Sequence, residues 1–171
     1  MQMDGLNELM QAVQHELAAE GGQPAGPVSA VLRMLCALVV GAILGWEREH
    51  AGKAAGLRTH MLVTLGVTLA TMVPTQIGMD TADWSRVLQG ILTGIGFIGA
   101  GAILKLSRRG EVRGLTTAAS IWMTATLGIA VGAGQLALAL AGAVVAFAVL
   151  WFLGWLERRV EHGKSQQPTQ D

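Results

Sequence analysis

Four stretches of this chain carry no Asp, Glu, Lys, Arg or His: residues 34–46, 61–79, 87–104 and 114–156. A helix on a water-soluble domain keeps a polar face, whereas a bilayer crossing needs about 20 largely apolar residues in succession. The blocks have the second character. The first is short and must begin near Val28. The last is long enough for two crossings, and Gly132-Ala133-Gly134-Gln135 is its natural break, because glycine punctuates helix ends and glutamine suits an interface. The sequence therefore predicts five spans, at roughly 28–46, 57–77, 87–105, 115–132 and 136–156. Only 14% of the residues are charged, and a 171-residue soluble fold would have too little polar surface to cover that many apolar helices.

The charges that remain are unevenly placed. Of the 12 Lys and Arg residues, ten fall after the first, third and fifth spans: Arg48, Lys53 and Arg58; Lys105, Arg108, Arg109 and Arg113; Arg158, Arg159 and Lys164. The opposite side holds Arg33 and Arg86. By the positive-inside rule this alternation puts the N-terminus outside and the C-terminus in the cytoplasm. Trp46, Trp84 and Trp155 stand at predicted span ends, where amphipathic rings favour the interface, while Trp122 is expected to pack inside. A formal net charge of zero argues against a nucleic-acid partner. The single cysteine, Cys36, rules out an intrachain disulfide framework and any cysteine metal cluster.

Before the first span, Leu6, Leu9, Met10, Val13 and Leu17 recur at helical spacing and predict a short amphipathic helix. That segment contains no Lys or Arg, so a cleavable secretory signal is not expected. Residues 21–27 read as a linker, and the polar stretch from Gly163 to Asp171 as a disordered tail.

Glycine is concentrated in the third span, whose residues 94–101 read GIGFIGAG. Helices in lipid associate by close backbone approach, which small residues permit. At 100° per residue Gly90, Gly94 and Gly101 share one side and Gly96 and Gly99 the other. The expectation is a central helix with a close neighbour on each face. The alternative is a broken helix that exposes carbonyls to a pore or cation. The first span has its own small stripe in Ala37, Gly41 and Gly45, and is a plausible neighbour. In the fourth span Thr116, Thr117, Ser120 and Thr124 form a hydroxyl stripe, read as interhelical bonding or as the lining of a small ligand pocket beside Arg113.

The densest charge lies in GWEREHAGKAAGLRTH, residues 45–60. Glu47 and Glu49 are outnumbered there by Arg48, Lys53 and Arg58, so a magnesium site built from those two carboxylates is not expected. Arg58 and Arg113 are positioned to pair with them or to hold an anion. His50 and His60 lack metal-ligand spacing and read as interface residues. Across the membrane, Asp83 is expected to cap the third span and to pair with Arg86 three residues on. The spans are expected to be free of interior ionisable groups, which lowers the expectation of ion-coupled transport. A nucleophile, base and orienter set is also missing from the pattern, so no enzyme is predicted.

Several motifs in order resemble the N-terminal membrane domain of the MgtC/SapB family of bacterial inner-membrane proteins. Gly45, Glu47 and Arg48 match a Gly-x-Glu-Arg; AGLRT at 55–59, ending in Thr59, follows; Asp83 and Arg86 match an Asp-x-x-Arg; GIGFIGAG and GLTTAASIW at 114–122 come next, then Gly128, Gly132 and Gly134. The resemblance covers about Val31 to Leu150 and does not include the C-terminal ACT-type cytoplasmic domain of longer members. It implies a role in adaptation to low magnesium and, in pathogens, survival inside macrophages. It also implies, for some members, restraint of the F-type ATP synthase.

These readings predict an all-α integral membrane protein, a bundle of five transmembrane helices. Residues 1–27 would be an amphipathic segment and linker, 28–157 the membrane domain and 158–171 a cytoplasmic tail. The expected surroundings are the lipid bilayer and a second membrane protein, with self-association through the glycine notches also open. No cofactor or metal is expected. A magnesium channel or transporter is the competing reading.

Overall fold

A computed structural model describes residues 25–104 and 113–164, with side chains in the last helix to residue 156 and at Arg159, and, nearer the N-terminus, residues 5, 7, 10, 11 and 14. The basic cluster Lys105, Arg108 and Arg109, the Arg158 and Lys164 side chains and the tail from 165 lie outside the described residues, as does most of the expected amphipathic segment. Five helices make up the described bundle: α1 (Pro27–His50), α2 (Leu57–Gln76), α3 (Thr81–Leu104), α4 (Leu115–Gly132) and α5 (Leu136–Lys164). Four of them, α1, α3, α4 and α5, are long and apolar enough to cross a membrane. The second differs because its 20 residues include Arg58, His60 and five threonines.

Connections of a few residues follow α1, α2 and α4, so successive helices run back alongside one another. The helix that touches all four others is α4, while α3 meets only α2 and α4, and α5 only α1 and α4. The expected centre was α3. It lies instead at an edge, as one unbroken helix through Gly94–Gly101, which also removes the broken-helix alternative. A Cβ at Gly90, Gly94, Gly96 or Gly101 would meet nothing within 4 Å, and only Gly99 has a neighbour, Ala118 Cβ at 3.7 Å. Glycine spacing shows where a helix can be approached closely. It does not show that the same chain supplies the neighbour.

Close approach occurs around α2. A Cβ on Gly41 would fall 2.7 Å from Met61 Cα, and one on Gly45 2.7 Å from Leu57 Cα. From the other side, Gly128 and Gly132 of α4 bring the carbonyls of Thr64 and Thr68 to 2.8 and 2.7 Å of where a Cβ would sit. Thus α2 is held between glycine notches of α1 and α4. Its buried face is His60, Thr64, Thr68 and Thr71, all without solvent exposure. Thr64 and Thr71 donate to the carbonyls of His60 and Val67 four residues back, whereas Thr68 reaches across to Gly128 O at 3.0 Å. Thr68→Val should lower unfolding free energy by about 0.6 to 1.7 kcal/mol, the range for such bonds in membranes, as read by chemical unfolding in detergent. Apolar packing completes the core, with Ala37, Val40 and Leu44 of α1 set against Leu127 and Val131 of α4 and Ala139 and Ala143 of α5.

The spans are not free of ionisable groups. Arg33 lies within α1 at 3% exposure, and its Nη1 donates to Gly132 O at 3.0 Å, satisfying a terminal carbonyl of α4 where the helix dipole is negative. Gly134, at φ 84°, turns the chain around the guanidinium, since a Cβ there would stand 2.8 Å from Arg33 Nη2. His60 is also interior. The predicted spans 28–46 and 57–77 already enclosed both groups, since only the blocks 34–46 and 61–79 within them are free of charge. Trp122 is another correction: it is exposed on the outer face, where lipid rather than protein would meet it.

Candidate functional site at one end of the bundle

The last turn of α1 and the first turns of α2 and α4 meet at one end. They bring GWER, AGLRT and GLTT together although up to about 70 residues separate them. Asp83 and Arg86 lie at the opposite end, where α3 begins. There Asp80, not Asp83, caps the helix: its carboxylate accepts the Asp83 N–H at 2.8 Å. Asp83 and Arg86 approach to 3.6 Å, both exposed, a pair that adds little stability.

At the shared end the expected pairing of Glu47 and Glu49 with Arg58 and Arg113 is replaced by local partners. Arg48 is 2% exposed, and its Nε donates to Glu47 Oε2 on the neighbouring residue, itself 7% exposed. Arg48 Nη1 is buried without a hydrogen-bond partner. Glu49 Oε2 accepts the Leu57 N–H at 2.8 Å, placing a negative charge at the start of α2 where the dipole is positive. Gly56 leaves room for this carboxylate, because a Cβ there would sit 2.8 Å from Glu49 Oε2. Arg58, Arg113 and Thr116 are exposed, Thr59 is half-buried and Thr117 is buried.

His60 joins α2 to α4. Its Nδ1 lies 2.9 Å from Gly56 O, which can only accept, so Nδ1 carries the proton. Nε2 faces Ser120 Oγ at 3.3 Å, and that hydroxyl also reaches Thr117 O at 2.8 Å. Thr124 bonds back to Ser120 O. Within the α4 hydroxyl stripe, Ser120 and Thr124 thus bond back along their own helix, and Ser120 also faces α2. Sequence reasoning missed the matching stripe on α2; its signal was His60, Thr64, Thr68 and Thr71 at steps of four, four and three.

Two hollows flank this end. One of about 530 Å³ is lined by Trp46, Glu47, His50, Ala51, Phe147 and Trp151. The other, about 500 Å³, lies between Gly52-Lys53-Ala54 and the start of α4 at Arg113, Gly114, Thr116 and Thr117. Gly114 is needed at its position: φ is 90°, and a Cβ would fall 2.6 Å from Ala102 O of α3. Among the described residues no group of three or more His, Cys, Asp or Glu is gathered to hold a metal ion.

No solved structure matches the chain. It is 46% identical over 121 residues to SrpB of Synechococcus elongatus, an alignment covering 64% of this chain and 66% of SrpB. YhiD of Escherichia coli K12, named as a candidate magnesium transporter, is 38% identical over 130 residues, 70% of this chain and 58% of YhiD. MgtC of Salmonella typhimurium LT2 is 37% identical over 115 residues, 67% of this chain and 48% of MgtC. The chain thus spans between about half and two thirds of these relatives' lengths. The profile of the MgtC family matches residues 34–159, from the first span through all the motifs gathered at the end just described, and the chain belongs to that family.

Proposed function

We infer that the protein is a magnesium-linked regulatory protein of the bacterial inner membrane that acts by binding another membrane protein. One observation carries the reading. Phe97 is 83% exposed on α3 and stands on the same side as Gly90, Gly94 and Gly101, all open, in a bundle whose glycines on α1 and α4 are filled by a neighbouring helix. An aromatic knob among glycine hollows suits a helix from a second protein. The F-type ATP synthase is the partner that the family resemblance implies. The basic end, with Arg58, Thr59, Arg113, Thr116 and Thr117, would face the cytoplasm, with the N-terminus outside, and extend the contact beyond the lipid.

Magnesium transport is the second reading, supported by the name of YhiD. The geometry weighs against it, because the Glu47 and Glu49 carboxylates already serve Arg48 and the α2 terminus.

Gly94→Leu and Gly101→Leu separate the two. Both should leave detergent stability within about 0.5 kcal/mol of wild type, since nothing lies against either position. Both should lose the co-purified partner and fail to support growth in limiting magnesium. Normal growth with the same co-purified proteins would remove α3 as the binding face, and protein-dependent magnesium flux into liposomes would favour transport.

A further inference from the structure

Two hollows of opposite character adjoin at Thr116. The first is the cleft of about 500 Å³ lined by Lys53, Arg113, Thr116 and Thr117. The second is a groove of about 350 Å³ walled by Leu44 of α1, Met123 of α4 and Val145, Val149 and Leu150 of α5, with Thr116 at its mouth. The cleft offers two cationic side chains, hydroxyls and the opening turn of α4, whose Gly114 supplies no side-chain cap. No acidic residue lines either hollow among the described residues. From Thr116 to Met123 the groove follows α4 for about 10 Å, at 1.5 Å per residue, into the span.

A free phosphate would fit the cleft and leave the groove without an occupant. A zwitterionic lipid would fill the groove but bring its own cation to Lys53 and Arg113. An amphiphile with a net negative phosphate head and an acyl chain uses both. We propose that this joined pair of hollows binds one anionic phospholipid, its phosphate between Lys53 and Arg113 and one chain along Met123, Val145 and Val149. Basic pockets at the ends of membrane helices recognise such headgroups by the same electrostatics. The site lies apart from the open α3 face but shares Arg113, Thr116 and Thr117 with the basic end assigned to the partner contact, so its test uses the purified chain alone, where no partner is present.

The test uses the purified full chain in neutral detergent, with native mass spectrometry and melting read on addition of phosphatidylglycerol, phosphatidylcholine of the same chains, or inorganic phosphate. Phosphatidylglycerol should bind roughly tenfold tighter than phosphatidylcholine, as two surface cations allow. Lys53→Ala with Arg113→Ala should abolish that preference, and Ala146→Phe, which fills the groove wall, should weaken both lipids alike. Melting in phosphatidylcholine alone checks that the variants fold. Should the double variant not fold, Lys53→Glu, at an exposed position, serves instead and should reverse the preference. Equal affinity for the two lipids, a preference that survives loss of the cations, or stabilisation by inorganic phosphate equal to that by the lipid would overturn the proposal.

Discussion

Glu47→Ala should unfold the protein more readily by about 3 to 5 kcal/mol, the cost of leaving a buried charge without its partner. The Glu47 carboxylate is what the structure sets against the Arg48 guanidinium, which is 2% exposed and already has Nη1 unpartnered. Removing the acid leaves a cation inside the bundle with no compensating charge. Replacing both residues, as Glu47→Met with Arg48→Met, should recover most of the loss, because an apolar pair of similar volume avoids desolvating two ions. Denaturant unfolding in detergent of Glu47→Met, Arg48→Met and the double measures the coupling. Wild-type stability in Glu47→Ala would falsify the buried pair. The same variants bear on function: a carboxylate used as a magnesium ligand would make magnesium raise the melting temperature, and Glu47→Ala would abolish the rise. With the carboxylate held by Arg48, magnesium should leave melting of the wild type unchanged.

That pair was hidden in the sequence for a physical reason. Residues i and i+1 on a helix point about 100° apart, so Glu47 and Arg48 gave no sign of meeting, while Arg58 and Arg113 were natural partners across the loops. Long side chains at a helix end closed the angle. The five helices, by contrast, were legible because apolar blocks of the right length leave few choices in lipid. Their ends were less so. Absence of charge located each block, but α1 continues through Glu47 and Arg48 to His50 and α3 starts six residues before Val87. The same criterion is blind to hydroxyls, so the threonines of α2, the polar seam of the bundle, passed as ordinary members of an apolar run. For the site, the predicted span ends put Arg58, Thr59, Arg113, Thr116 and Thr117 close together, and the structure has them at one end of the bundle. The sequence did not reveal that His60 ties α2 to Ser120 or that Arg33 closes α4.

Glycine supplies the second large effect, and its sign depends on position rather than on residue type. Gly41→Leu should destabilise by about 3 kcal/mol or more, at or above the upper end for overpacking, because the nearest obstacle is Met61 Cα at 2.7 Å, backbone that no rotamer can move. Even Gly41→Ala meets that atom, so α1 must withdraw from α2, with Thr64 Oγ1 and His60 O also within 2.8 Å. Gly128→Leu should behave alike from the α4 side, since Thr64 O lies 2.8 Å from its Cβ position. The two sites grip the same turn of α2, so their costs should be less than additive: once one neighbour has withdrawn, the other has room. Unfolding of Gly41→Ala, Gly128→Ala and the double variant in detergent tests this, and wild-type stability in both single variants would show that α2 is not held between α1 and α4. Gly94→Leu in α3 is the internal control. It adds the same side chain to open space, so a loss as large as that of Gly41→Leu would mean that glycine content itself, and not backbone contact, sets the stability of the bundle.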